Sequence, residues 1–352
     1  MLPQLRTTSS DTGKAGPELR VVAIGGGTGL STLLKGLKRY VVAPALAPSA
    51  QPIVRELCGV VTVSDDGGSS GRLRKELNML PPGDVRNCIV ALSEDEALMS
   101  RLFQHRFQKG SGLEGHSFGN LFLAALTSIT GDFAEAVRLS SEILLTRGHI
   151  YPATTSNVEL EALLEDGTRV RGETRITASK GKIKELVLVP HDVGPLPQTL
   201  EAIASADLIT IGPGSLFTSL IPNLLVRGIP EAILDSPAVK VFICNLMTQA
   251  NESLGLTAAD HIRALNHHAG IQLFDYALLN RKPASPEMKA KYALEGASQI
   301  VVDLEAIEAL GVCPLLGDYL DEGEVARHAT DRLAHDLMAL MAQAPDRQAI
   351  RS

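Results

Sequence analysis

A short apolar run, Arg20-Val21-Val22-Ala23-Ile24, stops abruptly at Gly25-Gly26-Gly27-Thr28-Gly29, after which Leu30, Leu33, Leu34 and Leu37 recur at helical spacing. Strand, glycine turn and amphipathic helix in this order are the first half of a βαβ unit, and that unit requires a parallel sheet. Composition agrees: 45% of the residues are hydrophobic but only 4% are aromatic, with no Trp. The core is therefore built from Leu, Ile, Val and Ala, as in parallel sheets buried on both faces. A length of 352 residues suits one doubly wound α/β domain carrying an insertion.

The rest of the chain repeats the rhythm. Residues 1–19 read as a tail, Pro44 to Pro52 as a connector, and Gly59-Val60-Val61-Thr62-Val63 as a second strand running into the loop Ser64-Asp65-Asp66-Gly67-Gly68-Ser69-Ser70-Gly71. Ser93 and Glu96 suggest a capping box before a helix with Leu98, Leu102, Phe103 and Phe107; Asp132 suggests another helix start; Phe118 to Ile129 reads as a buried helix. Between about 157 and 190 the pattern alternates around Asp166-Gly167 and Lys180-Gly181, as a small antiparallel insertion would. Asp207 to Ile211 and Val239 to Ile243 are further strands, ending in Gly212-Pro213-Gly214-Ser215 and Cys244-Asn245.

Unpaired N–H groups at a helix N-terminus attract anions, so Gly25, Gly26, Gly27, Thr28 and Gly29 are expected to cradle a phosphate; the alternative is a tight turn without a ligand. The spacing fits neither the dinucleotide fingerprint nor a Walker A loop. Asp65 and Asp66, at the end of the second strand, are candidate Mg²⁺ ligands beside that phosphate, or else an Asx-type turn. Arg72, Arg74 and Lys75 could offset phosphate charge. Gly115-His116-Ser117-Phe118-Gly119 matches G-x-S-x-G, but no strand precedes it, so a hydrolase nucleophile is disfavoured. His116, Ser117 and Asn120 are instead expected to point polar groups into the cleft. Gly212, Gly214 and Ser215 form a second candidate for a phosphate or sugar contact, against a simple turn.

The formal charge of −7 gives no basic footprint for nucleic acid. The four cysteines form no CxxC pair, and no segment has signal-peptide or membrane-spanning character, so a cytoplasmic protein with reduced thiols is expected. His261, His267 and His268 lack a carboxylate at ligand spacing, which makes surface histidines the better reading than a metal site.

Taken in order, Gly25-Gly-Gly-Thr-Gly29, Ser64 to Gly71, Pro82-Gly-Asp-Val-Arg-Asn87, Gly115 to Asn120 and Ile211 to Ser215 resemble the CofD/YvcK family across about residues 20–342. Ile221-Pro-Asn-Leu-Leu225 and Cys244-Asn-Leu-Met-Thr-Gln249 bring the chain nearer the YvcK branch, the gluconeogenesis factors, than CofD, the 2-phospho-L-lactate transferase. The resemblance implies a Rossmann-like three-layer α/β/α domain over 20–342, followed by a tail at 343–352. It also implies a UDP-sugar or other nucleotide diphosphate ligand, a non-catalytic role in carbon metabolism and cell shape, and a possible homo-oligomer. The alternative it carries is a magnesium-dependent transferase of the CofD kind. Arg327-His328-Ala329-Thr330 resembles the branch's Arg-His-x-Thr segment, where Arg327 would meet a diphosphate and Thr330 would cap the helix with Leu333, Leu337 and Leu340.

Overall fold

The apolar run at the start of the chain becomes a strand with its last five residues all buried, as the centre of a sheet covered on both faces demands. The computed structural model describes residues 18–41, 53–94, 98–179 and 181–343. In chain order the strands are β1 (Glu18–Gly25), β2 (Ile53–Val61), β3 (His149–Pro152), β4 (Glu159–Leu164), β5 (Arg169–Arg171) and β6 (Ile183–Val189). They continue with β7 (Leu208–Ile211), β8 (Val239–Ile243), β9 (Tyr276–Asn280), β10 (Cys313–Gly317), β11 (Leu320–Glu322) and β12 (Ala326–His328).

Seven of these form the central sheet in the order β3-β2-β1-β7-β8-β9-β10, with parallel neighbours throughout. Helices flank it in a Rossmann-like three-layer arrangement. Gly27–Leu37 packs on Gly83–Leu92 and Thr330–Gln343, while Ala258–Ala269 packs on Ile221–Leu224 and Leu304–Glu308. The first helix holds its place through Leu30, Leu33, Leu34 and Leu37, all fully buried, each burial worth about 2 kcal/mol. Strand order turns round between β1 and β7, so the loops after these two strands diverge and leave a crevice at the switch point.

The insertion is antiparallel, in the order β5-β4-β6, and β4 alternates half-buried and buried residues as a one-faced strand should. It departs from expectation in one respect: after Arg171 the alternating pattern stops being strand, and Glu173–Ala178 is a helix. Arg74 joins the insertion to the core. Its Nε donates to Asn157 Oδ1 at 2.8 Å and its guanidinium also donates to the Val158 carbonyl, so this arginine has a structural task.

Other expectations also shift. Strand β1 starts at Glu18, inside the expected tail, and β2 starts at Ile53. The loop after β2 is shorter than expected because a helix, Gly68–Leu77, begins within it. Ser93 closes the helix Gly83–Leu92, with its hydroxyl donating to the Val90 carbonyl; Glu96 lies outside the described residues, and Phe107 lies beyond the helix Leu98–Gln104. Asp132 caps its helix as expected, accepting from the Glu135 N–H at 2.7 Å. The helix Phe118–Thr130 is buried on one side only, since Ile129 is 79% exposed. Most of the expected tails and the whole Pro44–Pro52 connector lie outside the described residues. No helix among the described residues is long and apolar enough to cross a membrane.

Candidate functional site

Helix Gly27–Leu37 begins directly after the extended Gly26, at the carboxyl end of β1. Gly27 has φ of 61°, a left-handed conformation in which a side chain would be strained. Gly29 is required for a different reason: a Cβ there would sit 2.2 Å from the Pro213 carbonyl oxygen, because the first helical turn rests on the loop after β7. The Gly27 N–H donates to the Asp84 carboxylate. Among the described residues nothing accepts from the Thr28 or Gly29 N–H, so two donors stay unclaimed at the positive end of an 11-residue helix. Gly26, Gly27, Thr28 and Gly29 line a cavity of about 980 Å³ at the switch point, with Gly25 immediately behind them.

The turn after β7 forms the adjoining wall, through Pro213, Gly214 and Ser215, and several of its polar groups are engaged within the chain. The Gly214 N–H donates to Asn245 Oδ1 at 3.0 Å, Asn245 Nδ2 donates to the Gly214 carbonyl at 2.7 Å, and Gln249 Nε2 donates to Ser215 Oγ at 2.8 Å. Beyond Gly212 and this turn lies a π-helical turn, Leu216–Leu220. The N–H groups of Phe217 and Thr218 there donate to Glu252 Oε1 at 2.8 and 3.0 Å. A carboxylate of the chain thus occupies the place a phosphate would take.

Acidic groups gather on the other side of the glycine loop. Asp65 Oδ1 accepts from the Gly67 N–H at 2.8 Å, the Asx-type turn weighed above. Asp66 Oδ1 accepts from both the N–H and the hydroxyl of Thr174, at 2.9 and 2.5 Å, and so fastens the start of the insertion's helix. Glu173, beside it, is thereby placed at the cavity wall. Burial, and then the neighbouring charges of Asp65, Asp84 and Asp66, push the Glu173 carboxyl up to about 9. Burial and Asp65 push Asp84 up to about 6. Neither Asp65 nor Asp66 lines the cavity itself. Among the described residues no group of three His, Cys, Asp or Glu side chains converges in metal-holding geometry.

At the far wall, the hairpin of β11 and β12 supplies Arg327 and His328. Successive strand residues face opposite ways, so the two have different tasks. His328 Nε2 donates to the Cys244 carbonyl at 3.0 Å, anchoring the hairpin to the end of β8, and burial lowers its pKa to about 4. Arg327 is exposed, has no protein partner among the described residues, and is the one Lys or Arg lining the cavity there. Thr330 is the first residue of the next helix, with its hydroxyl 3.5 Å from the His328 carbonyl, so it does not act as the expected cap. Leu333 and Leu337 are buried as expected and Leu340 is half-buried.

The expectation that His116, Ser117 and Asn120 face the cleft is corrected, because all three are buried away from the cavity. Ser117 caps helix Phe118–Thr130 by accepting from the Asn120 N–H at 3.2 Å. Arg86 donates to Ser117 Oγ at 2.6 Å and Asn120 Oδ1 at 3.0 Å, and His116 Nδ1 lies 2.9 Å from Ser69 Oγ. The G-x-S-x-G match is therefore a helix start and not a nucleophile elbow. Of the three histidines expected at the surface, only His267 is exposed: His261 is buried with Nδ1 donating to the Thr257 carbonyl at 2.8 Å, and His268 is half-buried with Nε2 accepting from the Leu186 N–H at 3.0 Å.

The family described as 2-phospho-L-lactate transferase CofD matches residues 21–320. The chain belongs to the CofD family. Within that family it is 50% identical to the gluconeogenesis factor of Halalkalibacterium halodurans, over 90% of this chain and 95% of that protein. The gluconeogenesis factor of Bacillus subtilis is 46% identical over 93% of this chain and 99% of its own. A crystal structure of a UPF0052 family member from Bacillus halodurans superposes with a TM-score of 0.85 at 49% identity, covering 92% of this chain and 99% of that one.

For this CofD family chain, sequence reasoning missed Asp84, Glu173 and Glu252. Asp84 lies inside the quoted Pro82–Asn87 motif, whose spacing from the glycine loop gives no hint that it holds the Gly27 N–H. Glu173 and Glu252 carry no sequence signal, because each reaches the cavity from a distant segment.

Proposed function

We propose that this protein binds a nucleotide diphosphate ligand, of the UDP-sugar class, in the switch-point cavity, and acts as a non-catalytic regulator linked to central carbon metabolism and cell shape. The observation that carries this reading is the pair of unclaimed N–H groups, Thr28 and Gly29, at a helix N-terminus lining a cavity of about 980 Å³. Arg327 supports it as a cation without a protein partner in the same cavity. The relatives named gluconeogenesis factor support the regulatory part.

Titration with UDP-N-acetylglucosamine tests it. Calorimetry should show saturable binding, and the melting temperature should rise with ligand concentration by linkage. Arg327→Ala should weaken that binding about 10- to 100-fold with the unliganded melting temperature unchanged, the value of a charge-assisted contact to phosphate. Absence of any calorimetric signal at saturating ligand would sink the UDP-sugar reading.

One observation favours a second reading, a CofD-type magnesium-dependent transferase. Burial and then the Asp65 charge raise the Asp84 carboxyl, and a Cβ on Gly26 would sit 2.9 Å from Asp84 Oδ2, so acids stand beside the glycine turn. A Mg²⁺ ion held by such carboxylates would also need ligand phosphate oxygens and water to complete its shell, which is the usual manner of this ion. Turnover of a lactyl-phosphate donor with a deazaflavin acceptor in Mg²⁺ would favour the transferase over the regulator.

A further inference from the structure

The cavity has two chemically different walls. Donors mark the first, with Thr28 N–H, Gly29 N–H and Arg327 available to an anion. The second, made by the segment after β8, presents acceptors. Gln249 spends its Nε2 on Ser215 Oγ, which leaves Oε1 buried with no partner. Three residues on, Glu252 spends Oε1 on two N–H groups and stands 3.3 Å from the Thr218 hydroxyl, while its Oε2 has no protein donor among the described residues. Both side chains line the cavity. A buried acceptor without a donor loses its hydration uncompensated, so its retention calls for a partner that the chain does not supply.

Resting on the reading above, we propose that Gln249 and Glu252 form the subsite that reads hydroxyl groups of the ligand's sugar, leaving the Thr28–Gly29 turn and Arg327 to the phosphates. Two acceptors from one turn of chain suit neighbouring hydroxyl donors, and a fixed carboxylate excludes a phosphate from the same place. In dinucleotide-binding folds an acid near the end of the second strand takes the ribose hydroxyl. Here Asp65 and Asp66 hold that position but neither lines the cavity, and Glu252, delivered from the other side of the switch point, takes over the task. Clamping of Oε1 by backbone N–H groups fixes the carboxylate before ligand arrives, which reduces the ordering cost of binding.

The hydroxyls could belong to ribose or to the hexose, and four probes separate the sources: UDP, 2′-deoxy-UDP, 3′-deoxy-UDP and UDP-N-acetylglucosamine. Each is titrated into wild type, Glu252→Gln and Gln249→Leu, with melting curves recorded to confirm that the variants fold. Wild type should lose about tenfold in affinity on removal of a read hydroxyl, and at least one variant should lose that discrimination while still binding the deoxy probe. Discrimination among UDP and its deoxy forms assigns the ribose; a variant effect confined to UDP-N-acetylglucosamine assigns the hexose. Identical ratios between probes in wild type and both variants would overturn the subsite. Failure of wild type to bind any of the four probes would instead overturn the UDP-sugar reading itself.

Discussion

The turns after β1 and β7 are built alike, each a buried strand running into glycines and then a helical start, and each contributes to the same cavity. Their donors are used to different degrees. After β1, the helix runs for 11 residues and leaves two N–H groups unclaimed; after β7, a five-residue π-helical turn has its Phe217 and Thr218 N–H groups taken by Glu252. Glycine content therefore does not make an anion site. What decides is how many donors the chain's own acids take: Asp84 takes the Gly27 N–H after β1 and leaves those of Thr28 and Gly29, whereas Glu252 takes both the Phe217 and Thr218 N–H groups after β7.

The largest test of the comparison is the contact between the two turns. Gly29→Val would drive a side chain into the Pro213 carbonyl, and with backbone on both sides neither can yield cheaply. It should lower stability by about 3 kcal/mol or more, read as a drop in denaturant midpoint with an unchanged slope. A variant of normal stability would mean that the turns are not in register.

A smaller effect is expected when the chain's own anion is removed. Glu252→Ala leaves the Phe217 and Thr218 N–H groups without their acceptor and should cost about 1–2 kcal/mol in the unliganded protein. An unchanged midpoint would erase the distinction drawn between the two turns.

The smallest concerns the acids beside the first turn. The folded chain holds the Glu173 carboxyl up to about 9, above its ordinary 4.5, so folding takes up a proton between these values and stability from this group falls as pH rises through that range. Glu173→Gln removes the dependence. Its melting temperature should exceed that of wild type by about 2 °C or more at pH 8.5, with a smaller difference at pH 5. An equal difference at both pH values would show that Glu173 is not held among Asp65, Asp84 and Asp66.

Local signals carried most of the fold. The apolar run before Gly25, the leucine spacing from Leu30 to Leu37 and the Asp132 cap each act within a few residues, and each element forms where the residues alone place it. Part of the site is local too, since the helix start that frees the Thr28 and Gly29 N–H groups is written in five adjacent residues. The rest depends on long-range closure. Asp66 reaches Thr174 across 108 positions to place Glu173, and Glu252 reaches back 34 to Thr218; no periodicity encodes either meeting. His116 shows the converse failure: a polar residue beside a glycine turn reads as exposed, but Ser69 and the helix start bury it.

The central position of β1 also bears on how this protein is made. Its neighbour β7 is joined to it at Arg20 and Asp207, 187 residues apart, and a contact of such separation forms only after a long loop has closed. A nascent chain that has emerged only as far as Ala206 carries the glycine turn and its helix but lacks the Pro213 wall, Glu252 and Arg327. The cavity proposed to hold the ligand therefore needs the chain through Arg327, and a ligand bound there would stabilise only molecules in which all its walls have formed.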